Sequence, residues 1–171
     1  EEINNSNNLV NIYGEKLIPC RSNNSTDTQG SWNKNGYCDE TGGGVHQICV
    51  NVDKTKNFSL NTGQGPWSER RKGKNHCMCL GAWALYKAKQ DKNIIPYTKN
   101  ELLCESIMDD VFDPKYVKKW NTWNGNELPH QVVNGVDHLY KQCYNQANSE
   151  QRQYLLNLYT KLKNNYPQFN S

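Results

Sequence analysis

The sequence has no apolar run approaching the ~20 residues that a bilayer-spanning helix requires, and no hydrophobic stretch of the signal-peptide kind. It is expected to have no transmembrane segment. Phosphate-loop chemistry is missing as well. Gly42, Gly43 and Gly44, and the later Gly63 and Gly65, lack the Gly-x4-Gly-Lys-Ser/Thr spacing. Charge of one sign is also scarce: 20 basic and 17 acidic residues leave a net +3. The signs are mixed along the chain apart from the cluster Arg70-Arg71-Lys72-Gly73-Lys74. A nucleic-acid surface needs a larger one-sided excess, so no specific nucleic-acid partner is expected. There is no internal repeat.

Apolar residues make up only 35% of the chain, whereas aromatics reach 11%, with ten Tyr and five Trp. The core is therefore expected to combine aromatics with Leu, Ile and Val under a very polar surface. A chain of 171 residues suits one domain. At that size a core can bury enough surface to fold without staples. Residues 1–9 read as a loose tail and 10–171 as a single domain, divided into a cysteine-rich part over 10–90 and a helical extension over 91–171. Four Asn-x-Ser/Thr sites occur, at Asn4, Asn23, Asn24 and Asn57, too few in so Asn-rich a chain to argue secretion. The chain starts at Glu1. It is expected to be soluble, and either intracellular or, if a signal is removed before Glu1, extracellular or virion-associated.

Cysteine is the residue in surplus. Seven are present, at 20, 38, 49, 77, 79, 104 and 143, many for a reducing cytosol. An odd total leaves at least one thiol unpaired within a monomer. Cys20, Cys38, Cys49, Cys77 and Cys79 fall in the first 79 residues and read as structural, supplying up to two disulfides. Cys104 and Cys143 lie in helix-like segments and read as small buried hydrophobes.

Periodicity divides the chain. LVNIYGEKLIPC (9–20) reads as strand, Gly turn, strand, and HQICVNV (46–52) as a strand with Cys49 opposite Ile48, Val50 and Val52. Residues 21–44 and the stretch around Gly63, Gly65 and Pro66 are loops. Helical patterns begin at Leu80 and recur behind a Thr98–Glu101 capping box, after Asp113-Pro114, over 131–147, and after Asn148. The fold class is α+β: a small mixed or antiparallel sheet with long loops, then four or five helices.

The segment KNHCMCLGAW (74–83) concentrates the chemistry. In an extended HCMCL, Cys77 and Cys79 share a face. With His46 and Cys49 they would offer zinc four soft ligands, although Cys-x-Cys is not a knuckle spacing. His76 is an alternative ligand that a strand would turn away from both thiols. A second reading is a reactive thiol. Cys77 or Cys79 at the start of a helix, near Arg and Lys, with His76 as partner, has the minimum for a thiol nucleophile. A third is structural, because a strand-to-helix corner is a natural place to bury cysteine. His130 and His138 read as ordinary surface or core residues. Trp32, Trp67, Trp120 and Trp123 stand in loop-like contexts and are candidate anchors for a protein partner.

The motifs NIYGEKLIPC (11–20), GYCDETGGGVHQICVNV (36–52) and HCMCLGAW (76–83) resemble the mainly bacterial family labelled "domain of unknown function 2237". Matching positions are Asn11, Gly14, Leu17, Pro19 and Cys20; Gly36 and Cys38; Gly44, His46 and Cys49; and Cys77, Cys79 and Trp83. The resemblance covers about residues 10–90. It departs where the family has Gly-Asn-Asp-Leu-x-Thr-Pro and this chain has Asn61-Thr-Gly-Gln-Gly-Pro66, and where the family's Trp before the paired cysteines is His76. The resemblance implies that the cysteine–histidine set is one unit. It implies no activity. The sequence thus leads to a non-enzymatic structural or binding protein with a cysteine-stabilised core. A zinc-binding domain and a thiol-dependent enzyme are the alternatives.

Overall fold

The computed structural model describes residues 9–22, 25–39, 46–120 and 130–166. Its regular elements are β1 (Ile48–Asn51), α1 (Phe58–Asn61), α2 (Trp67–Arg70), β2 (Asn75–Met78), α3 (Leu80–Asp91), α4 (Pro114–Trp120), α5 (Gln131–Asn145) and α6 (Ser149–Asn165). The fold is α+β, with a two-stranded antiparallel sheet and most of its helix in the C-terminal half. No helix among the described residues is long and apolar enough to cross a membrane.

The sheet is small because irregular chain completes it on both edges. β1 and β2 pair with Cys49 opposite Cys77 and Val50 opposite His76. On the outer edge of β1, Leu103 N–H donates to Cys49 O and Asn51 N–H to Glu101 O; on the outer edge of β2, Cys77 N–H donates to Gly30 O. Buried backbone groups need partners, and these loops provide them where the described residues form no further strand. Residues 9–20 form isolated bridges, Val10 with Lys16 and Asn11 with Met108, rather than two strands.

Helix α3 starts where expected, immediately after the extended segment. It runs through the middle of the molecule and is buried almost all round from Leu80 to Ala88, rather than on one stripe. It packs mainly on α5. Trp83 Nε1 donates to Gly135 O at 2.9 Å. A Cβ at Gly135 would stand 2.7 Å from Ala84 Cβ, so glycine is what lets the two helices approach this closely. Leu139, Cys143, Leu155, Tyr159 and Leu162 continue the same core through α5 and α6. Asn148 and Gln151 close a reciprocal capping box at the start of α6.

The helix expected behind Thr98–Glu101 does not form. Only short 3-10 turns occur there, Cys104–Ser106 and Asp109–Phe112. The two capping-box side chains are engaged elsewhere. Thr98 Oγ1 donates to Glu101 Oε2 at 2.6 Å. Lys87, buried in α3, donates to Gln90 Oε1, Thr98 O and Glu101 Oε2. A buried ammonium needs a partner for every proton, and this network takes Thr98 and Glu101 away from any helix start.

Three disulfides join irregular chain to regular elements: Cys20–Cys49, Cys38–Cys77 and Cys104–Cys143. The third corrects the expectation for Cys104 and Cys143. Both are buried, but as a bridge between the turn after residue 103 and α5.

Candidate functional site

Cys79 is the one free cysteine. It lies just past β2, where the alternation of the strand ends, and it caps α3: Ala82 N–H points at its Sγ at 3.3 Å. The sulfur occupies the place usually taken by Ser, Thr, Asp or Asn oxygen. Beside it is a cleft of about 190 Å³ lined by Ser31, His46, Gln64, Trp67, His76 and Cys79, among others. His76 and Cys79 both line this cleft, as do Cys77 and Met78 between them, whereas an extended HCMCL is expected to turn His76 away from the thiols.

His76 is the most constrained group here. Trp67 stacks on its ring at 4.2 Å between centroids, and Trp67 is held in turn by its Nε1 donating to Gln64 Oε1. Arg71 Nε donates to His76 Nδ1 at 3.2 Å. A guanidinium only donates, so the neutral ring carries its proton on Nε2, which faces Ser31 Oγ at 3.4 Å. Burial, and then the positive charge of Arg71, push the imidazole down to about 3. Arg71 also forms a bidentate pair with Asp27, at 2.8 and 2.7 Å. The hydrogen bond from Arg71 holds that carboxyl down at about 2. At neutral pH the chain Asp27–Arg71–His76 is therefore carboxylate, guanidinium and uncharged imidazole. Burial pushes the Cys79 thiol up, against the smaller opposing effect of the backbone hydrogen bond from Ala82.

The zinc set is not assembled in this oxidised structure. His46, Cys77 and Cys79 line the cleft, but the sulfurs of Cys49 and Cys77 are bonded to Cys20 and Cys38. A disulfide sulfur has no thiolate charge to offer a metal. The same bond removes Cys77 as a nucleophile and leaves Cys79 alone in that role. Of the five N-terminal cysteines, Cys20, Cys38, Cys49 and Cys77 are cross-linked and Cys79 is not.

The tryptophans are not brought together as an exposed face. Trp32, Trp67 and Trp120 are half-buried and pack against the core. Trp32 lies over Gly30, where any Cβ would run into its ring at 2.1 Å, with Arg71 on the ring at 5.6 Å. Trp123 falls outside the described residues. His130 precedes α5 with φ of 61°, and His138 pairs with Asp91 at 2.9 Å.

Sequence reasoning missed Arg71, Asp27, Ser31 and Gln64. Arg71 was hidden in a basic run that reads as solvated surface, yet it is 5% exposed. No local signal tied it to Asp27, 44 positions earlier. The chain matches no family model, no curated protein and no solved structure.

Proposed function

We propose that this is a disulfide-stapled, non-enzymatic binding protein of an oxidising, extracellular-type compartment, whose cleft over Cys79 receives a side chain of a protein partner. The observation that carries the reading is that six of its seven cysteines pair within the chain, each pair tying a loop or turn to a strand or helix. Such pairing persists in oxidising surroundings. The cleft supports the binding role by its size and its charge state. Small-molecule sites run from about 300 Å³ upward, and this one is smaller. Its thiol and its buried imidazole are both uncharged, so the ion pair that activates a thiol nucleophile is missing at His76. The kinship with the domain of unknown function 2237 family belongs to the same proposal. Cys20, Cys38, Cys49 and Cys77, which carry much of the resemblance, make up the two bridges on the sheet.

The test is intact mass with alkylation, without and with reductant. The non-reduced, denatured chain is expected to fall short of the reduced mass by two hydrogens for each of three bridges and to take one alkyl group. In the native state Cys79 should alkylate more slowly than free cysteine at neutral pH. Seven alkylatable thiols in protein purified without reductant would overturn the stapled reading.

A second reading, thiol chemistry at Cys79, is favoured by one observation: Sγ sits at the N-terminus of a twelve-residue helix with His46 in the same cleft. It predicts the opposite kinetics, with Cys79 alkylating faster than free cysteine.

A further inference from the structure

Away from the cleft, four sulfurs form one buried cluster. Cys49 and Cys77 face each other across the β1–β2 ladder. Each is bonded to a cysteine from a preceding loop, Cys20 and Cys38. The two loops are themselves joined, because Cys20 N–H donates to Gly36 O at 2.8 Å. As a result the sulfurs of Cys20, Cys38 and Cys49 lie within 4.8 Å of one another, and the sulfur of Cys77 is bonded to one of these three. All four residues are no more than 1% exposed.

We propose that, when both bridges are reduced, Cys20, Cys38, Cys49 and Cys77 form a tetrathiolate site for one zinc-class divalent ion. The ligand set differs from one built on His46 and Cys79: it uses both loop cysteines and neither residue of the cleft. Zinc bonds to sulfur at about 2.3 Å in a tetrahedron, which places the sulfurs roughly 3.8 Å apart. The sulfurs of Cys20, Cys38 and Cys49 stand within 4.8 Å of one another in the oxidised fold, so on that backbone the site needs each bonded pair to open and the Cys77 sulfur to swing toward the other three. The two strand positions are fixed by ladder hydrogen bonds, and the loop positions are tied to each other at Cys20 and Gly36.

The chemistry balances with a dithiol reductant. Each bridge takes up two electrons and two protons and becomes two thiols, while the reductant closes to its own disulfide. The entering M²⁺ displaces four protons to solvent and leaves an M(S-Cys)₄ unit of charge −2. The metal would cross-link the same four chain positions that the disulfides link, so the loop-rich half would keep its tether in either redox state. The inference is independent of the cleft reading.

The experiment uses the full chain, reduced under anaerobic conditions with a phosphine, which becomes its oxide by taking the oxygen of one water per bridge while the two hydrogens go to the thiols, and titrated with Co²⁺ and then Zn²⁺. The expected result is a tetrahedral cobalt spectrum with sulfur-to-metal charge transfer, saturating at one equivalent and bleached by one equivalent of zinc. Native mass should show one zinc per chain. Cys79→Ser and His46→Ala should retain the full spectrum, whereas Cys38→Ser should lose or distort it. Because Cys38→Ser could simply fail to fold, the first two variants decide. Loss of the spectrum in either would move the site to the cleft and overturn the assignment. So would a reduced wild-type chain that gives no tetrahedral cobalt signal. If the metal-free reduced chain loses its circular dichroism, recovery with one equivalent of zinc supports the site, and failure to recover overturns it.

Discussion

The two halves of this molecule hold themselves together by different means. Among the described residues, those up to 79 form two four-residue strands and two single-turn α-helices, whereas those from 80 on form α-helices of twelve, seven, fifteen and seventeen residues. A long helix buries a whole face of side chains, and α3, α5 and α6 do so around one core. A loop cannot, because its side chains follow no period and its backbone groups need partners of their own. The first half replaces that packing with two disulfides pinned to β1 and β2. It adds buried polar contacts, such as Arg71 with Asp27 and His76. The second half has one disulfide, and it too secures an irregular segment, the turn at Cys104, to helix α5. Covalent cross-links therefore appear where regular packing is missing.

The strongest way to break this comparison is to remove the bridges. The sequence separations are 29 for Cys20–Cys49 and 39 for both Cys38–Cys77 and Cys104–Cys143. In the chain-entropy model each loop contributes about 3.5–4 kcal/mol. Replacing all four of Cys20, Cys38, Cys49 and Cys77 by Ala should cost roughly 7 kcal/mol, comparable to the whole stability of an ordinary domain. That variant is expected to be unfolded at 37 °C. The Cys104→Ala/Cys143→Ala pair should cost about 4 kcal/mol and leave a folded chain with its helical circular dichroism. Denaturant melts of both variants check this. A four-cysteine variant that unfolds at the wild-type midpoint would sink the idea that the loop half depends on its bridges.

The helical half should be sensitive to a different insult. Gly135→Ala improves intrinsic helix propensity by about 1 kcal/mol. Yet the added methyl carbon would stand 2.7 Å from Ala84 Cβ and 2.8 Å from its Cα, and the second of these is backbone. Overpacking of this kind costs about 1–3 kcal/mol, so the net change should be destabilising by up to about 2 kcal/mol. A calorimetric melt decides it. A raised midpoint would mean that α3 and α5 can separate freely and that the approach at Gly135 is not what holds them.

The same contrast explains what could be read from the sequence. The starts of α3, α4, α5 and α6, the strand at Cys49 and the α+β class all follow from local signals: period, caps and prolines. Thr98–Glu101 carries the same capping signal and misleads, because Lys87 of α3 captures the Thr98 carbonyl and the Glu101 carboxylate, and the Thr98 hydroxyl donates to that same carboxylate. Cys104 has a helix-like context, and its partner lies 39 positions away; local pattern carries no information about such pairing. The site divides in the same way. His76 and Cys79 were visible as a short motif. The burial that keeps His76 uncharged, the Arg71 guanidinium that adds to it, and the Asp27 carboxylate that pairs with Arg71 from 44 positions earlier are set by the tertiary fold.

The smallest expected effect tests that last point in the oxidised protein. His76 is held at about 3 in the folded state, against an ordinary 6.5. Between those values the unfolded chain binds a proton that the folded chain does not, so unfolding takes up a proton and stability falls as the pH is lowered. The contribution of His76 is complete above pH 6.5 and is lost progressively down to pH 3, at a little over ~1 kcal/mol per pH unit. Asp27, held at about 2 against 3.8, acts in the same direction but only from about pH 5 downward. The window from pH 6 to pH 5 therefore separates His76 from the carboxylate. His76→Gln keeps an acceptor for Arg71 Nε and cannot titrate. Its stability should fall less steeply than that of the wild type across the window, by about 1 kcal/mol per pH unit, as measured by urea melts at intervals of half a pH unit. Parallel slopes for the two proteins would mean that the folded imidazole titrates normally, and then neither Arg71 nor burial controls it.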